Sequence, residues 1–253
     1  MTTHALSDTA VLTGRSLRHI LRSPDTIVTT AIMPVAIMLL FVFVLGGAVD
    51  TGGTAYVDFL LPGILLITVA SGIAYTAYRV FLDVRGGIVD RLRSMPVAPA
   101  SVLWGHVLTS LLANAVSLAL VIGVALLVGF RSGASVGAWL AVVGILMAYT
   151  LAFTWVAVVA GLAAKTIDGA SAFSYPLIFL PFVSSAFAPT DTMPGPVRWF
   201  AENQPVTSFV DAIRALHAQQ PVGASVWVAL AWCAGILAVA WIVAVARFRR
   251  SGR

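Results

Sequence analysis

The chain has 253 residues, of which 60% are hydrophobic and 10% charged, with a mean hydropathy of +0.98. A soluble globular domain carries roughly a quarter charged residues, so this composition excludes that class and points to an integral membrane protein. The net charge of +5 fits basic residues gathered at one membrane face, not a nucleic-acid partner, and the lone Cys233 excludes an internal disulfide.

Residues 1–25 are polar with an amphipathic stretch and lack the apolar core of a secretory signal peptide. Val11, Leu12, Leu17, Ile20 and Leu21 share one helical face, flanked by Arg15, Arg18 and Arg22. That pattern predicts an elbow helix lying in the headgroup layer. A basic tail without fixed structure is the alternative. Ser23-Pro24-Asp25 marks the break before the next helix.

Six apolar runs follow, at 26–49, 59–81, 102–130, 137–164, 169–187 and 223–246. Each is near or above the ~20 residues a helix needs to cross the hydrocarbon. The expected fold is therefore an all-α polytopic membrane protein with six transmembrane helices. Its parts are an N-terminal segment, 1–25, and a membrane domain, 26–253. The third and fourth runs are long enough to require tilt or protrusion. Pro34, Pro62, Pro176 and Pro181 lie in or near spans, and the last two are close enough to break the fifth helix.

Six spans put both termini on one side. That side holds twelve of the fifteen basic residues, and the other holds only Arg131, Arg198 and Arg214. The bias predicts cytoplasmic termini and an extracytoplasmic loop at 188–222. Pro189, Pro194, Pro205, Asp211 and Arg214 are candidate residues of an extracytoplasmic gate in that loop. Val197, Trp199 and Phe200 suit the headgroup level. Thr207 is expected to cap a short re-entrant helix ending near His217, with Phe209, Ile213 and Leu216 as its apolar face. Asp211 and Arg214 form an i,i+3 pair worth about 0.2–0.5 kcal/mol. The segment is either a lid over a cavity or a loop that seals the bundle.

Chemistry is expected to come from elsewhere. The chain has no G-x-x-x-x-G-K-[ST] phosphate cradle and no H-E-x-x-H or Cys/His metal pattern. His4, His19, His106 and His217 are scattered, without an evident Asp or Cys partner. No catalytic residue and no metal ligand is expected. No Asp, Glu, Lys or Arg lies in the middle of a run, so the chain offers no titrating group at depth for ion-coupled transport.

The densest charge lies between Arg79 and Trp104, in the loop after the second run. It holds Arg79, Asp83, Arg85, Asp90, Arg91 and Arg93, and stops at Pro96 and Pro99. Val84, Ile88, Leu92 and Met95 recur at spacings of four, four and three. They make one apolar stripe on a helix of about three turns, roughly 18 Å long. Gly86-Gly87 permits a sharp turn, and Pro96 ends the helix. Such a helix suits docking in a partner's groove. A solvated loop against the headgroups is the alternative.

Gly87-Ile-Val-Asp-Arg-Leu-Arg-Ser-Met-Pro-Val, followed by Val102-Leu-Trp-Gly105, resembles the signature of ABC exporter permeases of the daunorubicin-resistance type. Pro176-Leu-Ile-Phe, Ser185-Ala-Phe-Ala-Pro189, Met193-Pro194 and Gln204-Pro-Val-Thr with Asp211-Ala-Ile-Arg-Ala-Leu216 resemble the same family further along. The resemblance implies six-span subunits that pair in a bacterial cell membrane, each pair binding two copies of a separate ATPase. ATP and Mg would belong to that ATPase, and this chain would hold no cofactor. The coupling helix would comprise Asp83, Arg85, Gly87, Ile88, Asp90, Arg91, Leu92, Arg93, Ser94, Met95 and Pro96, within 83–98. Asp90 stands where relatives often carry Glu and keeps the charge. The elbow would fall on 8–22.

The function expected is the membrane subunit of an ATP-driven exporter of an apolar or amphipathic drug, natural product or lipid. Its second permease subunit is either identical or homologous. Tyr75, Phe173, Tyr175, Phe179 and Phe182 are candidate pathway aromatics, with plain packing as the competing role. The alternative is a non-transporting membrane scaffold that recruits a cytoplasmic protein. An intramembrane hydrolase would instead depend on a residue such as His106 or Ser71.

Overall fold

The computed structural model describes residues 24–47, 55–87 and 99–250. The elbow residues Arg15, Arg18 and Arg22 and residues 88–98, the lever formed by most of the expected coupling helix, lie outside the described residues. Within them the chain is helical almost throughout, with no strand. Helix α1 (Pro24–Leu40) runs into one π turn, Phe41–Leu45. The long helices are α2 (Tyr56–Arg85), α3 (Pro99–Val128) and α4 (Val136–Ala163). The short helices α5 (Ile167–Ser171) and α6 (Ser174–Phe179) follow, the second extended by a 3-10 turn, Leu180–Val183. Helices α7 (Gly195–Asn203), α8 (Pro205–His217) and α9 (Ser225–Arg250) complete the order.

Helix α2 is the pillar. It is apolar on every side from Leu60 to Ala70, and every residue in that stretch is buried. Of its most apolar stretch 72% is buried by other helices, against 22% for α9. A helix apolar all round belongs at the centre of a bundle. Helices α1, α3, α4 and α6 pack around it, and α9 packs behind α4. Lipid is as apolar as leucine, so close contact between helices decides which ones pair. Gly161 shows the closeness: a Cβ there would sit 2.6 Å from the Ala77 carbonyl oxygen and 2.7 Å from Val80 Cβ. Outward faces carry Leu127, Leu140, Trp227, Val239 and Ile242, which suit a lipid surround.

Four of the described helices are long and apolar enough to cross a membrane: α2, α3, α4 and α9. The runs expected at 26–49 and 169–187 form shorter apolar helices. The second is broken where its prolines fall. Pro176 opens the body of α6, and Pro181 stands in the 3-10 turn that follows. The carbonyls freed there are not left bare. Gln204 Nε2 donates to Leu180 O at 3.2 Å and to Val183 O at 3.0 Å. The segment still travels the length of α2. Arg85 reaches the carbonyls of Ala164 and Lys165 just before it, and Tyr56 donates to the Phe187 carbonyl at its end.

One cap differs from expectation. Helix α8 starts at Pro205, and Thr207 instead donates to the Ala201 carbonyl of α7. Proline at the first helical position has no N–H to satisfy and a preset φ, so the helix starts there without a hydroxyl cap. The apolar face of α8 turns into protein, not lipid. Phe209 and Ile213 are fully buried, and Phe209 meets Tyr149 of α4 edge to face at 4.9 Å.

Candidate functional site

The polar side chains of the bundle collect at three levels. At the end where α2 stops, Asp83 Oδ2 lies 3.3 Å from His106 Nε2 on α3. The sequence reading had left His106 without an acidic partner, because the whole lever segment separates the two residues in the chain. Arg85 Nη2 donates to the carbonyls of Ala164 and Lys165, where α4 ends, and its guanidinium stands over Phe81 at 5.6 Å. A cation at a helix C-terminus answers the unpaired carbonyls and the dipole there. Trp104 of α3 meets Trp155 of α4 edge to face at 5.2 Å. Gly87 closes α2 with φ +70°, a left-handed conformation that glycine adopts without penalty. The last turn of α2 is thus strapped to both α3 and α4 immediately before the lever.

At mid-depth a neutral network joins the same three helices. Thr76 donates to Ser110 Oγ at 2.9 Å, and Ser110 Oγ lies 3.1 Å from Thr154 Oγ1. Asn114 Nδ2 donates to the Ser110 carbonyl at 2.9 Å. Gly72 makes room for it, since a Cβ there would fall 2.2 Å from Asn114 Oδ1. Small hydroxyls hold helices together in lipid because nothing else there satisfies them. Sequence reading sought charges at depth and passed over this cluster.

At the opposite end a third set of contacts forms. Arg214 of α8 donates to the carbonyls of Ser185, at 2.7 Å, and Phe59, at 3.1 Å. It pairs with Asp211 at 3.6 Å and stacks on the Phe59 ring at 4.0 Å. Ser185 Oγ donates to Asp211 Oδ1 at 2.7 Å. Burial pulls the Arg214 pKa down, and Asp211 opposes that pull. Arg131 donates through Nη1 to the Leu126 and Phe130 carbonyls, which closes α3, and through its backbone N–H to Asp58. His217 lies between Phe130 and Trp139, with ring centroids at 5.4 and 4.9 Å. Burial holds its pKa down at about 4, so the ring is neutral at neutral pH.

Known proteins bear on this arrangement. Residues 7–217 match the family described as ABC-2 type transporter. The chain belongs to the ABC-2 type transporter family. It is 29% identical over 219 residues to the daunorubicin resistance ABC transporter permease protein DrrB1 of Streptomyces coeruleorubidus, covering 84% of this chain and 75% of that one. It is 25% identical over 252 residues to the probable doxorubicin resistance ABC transporter permease protein DrrC of Mycobacterium tuberculosis, covering 97% of this chain and 90% of the other. The chain is accordingly a helical membrane permease subunit of the ABC transporter class.

Within this ABC-2 chain the candidate residues fall into separate places. Asp83, Arg85 and Gly87 sit at the strapped end of α2. Ile88, Asp90, Arg91, Leu92, Arg93, Ser94, Met95 and Pro96 lie outside the described residues. Asp211 and Arg214 come together with Ser185 and Phe59, two partners that the sequence reading did not place there. Pro189, Pro194 and Pro205 stand apart from that cluster, each opening a turn or helix. Of the five aromatics, Phe179 and Phe182 neighbour each other at 6.4 Å. Tyr175 and Phe179 face outward, one turn apart on α6. Phe182 stacks on Phe187 at 4.7 Å, Tyr75 neighbours Tyr78 at 6.0 Å, and Phe173 packs on the core. Gly133-Ala-Ser135-Val-Gly137 has the spacing of a nucleophile elbow, contrary to the expectation that no Ser stands in one. Ser135 is the N-cap of α4, accepting from the Ala138 N–H at 3.2 Å, and that contact accounts for it.

Proposed function

We propose that this permease subunit is driven by a separate ATPase that docks on the segment 88–95. The observation that carries the reading is the double strap on the last turn of α2, through Asp83–His106 to α3 and Arg85 to the end of α4. A push on the residues that follow Gly87 therefore reaches three helices at once. Two such permease subunits, identical or homologous, enclose the pathway, and two ATPase copies bind ATP and Mg beneath them. Six crossings, with the run 169–187 as the fifth, put both termini and the lever in the cytoplasm. The excess of basic residues on that side supports the placement.

The cargo is apolar or amphipathic, a drug, natural product or lipid. The apolar runs support this, because none carries Asp, Glu, Lys or Arg in its middle and so none offers a fixed charge at depth. Tyr175 and Phe179 stand on an outward face where a second subunit completes the pathway. Copurification tests the drive. A nucleotide-binding subunit should come down with the chain, and its ATPase activity should respond to cargo. Reversing Arg91 and Arg93 to Glu should release that subunit while membrane insertion stays intact. A complex unaffected by the reversal counts against the docking site, and a partner without ATPase activity would point to a scaffold.

A further inference from the structure

Helix α9 packs chiefly against α4 and α8 and leaves much of its surface outward. Where it meets α4, the outer surface is cut by a groove of about 470 Å³. Val156 and Val159 of α4 and Trp232, Gly235, Val239 and Val243 of α9 line it, and the lining is wholly apolar. The α9 residues follow one another at spacings of three and four, so they form one stripe on the helix. Gly235 deepens the groove, since a Cβ there would meet nothing within 4 Å. From Trp232 to Val243 the stripe is about 16 Å long at 1.5 Å per residue, roughly half the ~30 Å of hydrocarbon. It runs from near the middle of the span Ser225–Arg247 toward the end where Ala244 packs with Val80 of α2. The groove is therefore one leaflet long, on the lever side.

One turn past Val243 the same stripe reaches Arg247, which is exposed. No hydrogen bond or ion pair engages its guanidinium among the described residues. Lys165 and Asp168, the exposed charges just past the end of α4, offset each other. The end of α9 has no such offset. From Ala212 to Arg253 the sequence holds no Asp or Glu, and Arg249, Arg250 and Arg253 follow Arg247. Arginines just beyond a span attract anionic lipid headgroups. An apolar groove one leaflet long with a cation at its mouth suits a ligand with a hydrocarbon chain and an anionic head. A second copy of this chain fits less well, because the same way up in the membrane it would bring its own basic end to the same level.

We propose that the groove between α4 and α9 binds an anionic phospholipid of the lever-side leaflet. One acyl chain lies along Val243, Val239 and Gly235 and ends against Trp232, and the headgroup meets Arg247. The chain supplies apolar contact along the groove, and the arginine selects the charge of the head. The permease reading enters only in calling that leaflet cytoplasmic.

The test uses the full chain purified in detergent, with phosphatidylglycerol and phosphatidylcholine of identical acyl chains added in equal amounts. Native mass spectrometry counts the retained lipid. Phosphatidylglycerol should be retained about fivefold better, the effect of one arginine at a membrane surface. Arg247→Gln should remove most of that preference and leave phosphatidylcholine retention unchanged. Gly235→Leu fills the groove and should lower retention of both lipids severalfold, because the acyl chain loses its apolar contact. Melting curves of both variants report whether they fold, and the exposed Arg247 carries the test if Gly235→Leu does not. Equal retention of the two lipids by the unsubstituted chain overturns the proposal. So does a full preference in Arg247→Gln, or undiminished retention in folded Gly235→Leu. A change of oligomeric state in Gly235→Leu with lipid retention intact would give the groove to a second copy and overturn the lipid assignment. The readout needs neither ATPase nor cargo, so its failure leaves the export reading standing.

Discussion

The two ends of the bundle are built differently. At the lever end the Asp83–His106 pair is partly buried, while the Arg85 bonds to the end of α4 are exposed. The Arg85 bonds are also long, at 3.4 and 3.5 Å. At the opposite end Arg214 ties α8 to α2 and to the 184–187 turn, Gln204 closes the broken segment, and Arg131 closes α3. Exposed pairs contribute little to stability, whereas buried charge-assisted bonds contribute more. The proposed drive through 88–95 fits this contrast, since motion would enter at the end where the Arg85 bonds are longest.

Acid should break the contrast most strongly. The folded pKa of His217, about 4, lies below the ordinary value of 6.5, so the unfolded chain takes up the proton first. Its contribution to stability is full above about pH 6.5, declines as pH falls towards 4, and is flat below that. The whole step amounts to about 3 kcal/mol at 1.4 kcal/mol per pH unit. Thermal melts of His217→Phe against the unsubstituted chain between those limits should show the variant losing less on acidification. Next in size, Arg214→Met leaves two carbonyls and Asp211 without their cation and should cost about 2–3 kcal/mol. Urea or thermal unfolding in detergent measures it.

Two further substitutions sharpen the comparison. Gly161→Val drives a side chain into the Ala77 carbonyl and Val80 and should cost about 1–3 kcal/mol, read by the same melts. At the lever end Asp83→Asn should cost less than about 1 kcal/mol. Its effect should show instead as reduced cargo stimulation of the partner's ATPase, with the complex still assembled. A large loss of stability from Asp83→Asn would erase the distinction between the ends.

The helical architecture was legible because hydropathy writes spans plainly. The break in the segment 169–187 was legible too, since Pro176 and Pro181 cannot both continue one helix. The helix ending at His217 and the Asp211–Arg214 pair followed from local spacing. What escaped is non-local. Thr76, Ser110 and Thr154 are single hydroxyls in three separate apolar runs, and only the packing of the helices brings them together. Asp83 and His106 stand on either side of the lever, so no spacing rule links them. Ser185 and Phe59 meet Arg214 through carbonyl oxygens, which carry no side-chain signature. The start of α8 went to Pro205 because a preset φ competes with a hydroxyl cap.

The most direct test places one cysteine at Arg91 in a chain with Cys233→Ala and labels intact and inverted vesicles with a membrane-impermeant maleimide. The account predicts labelling from the cytoplasmic face alone, and protection when the ATPase subunit is bound. Labelling from the exterior, or labelling that the assembled ATPase leaves unchanged, would contradict it.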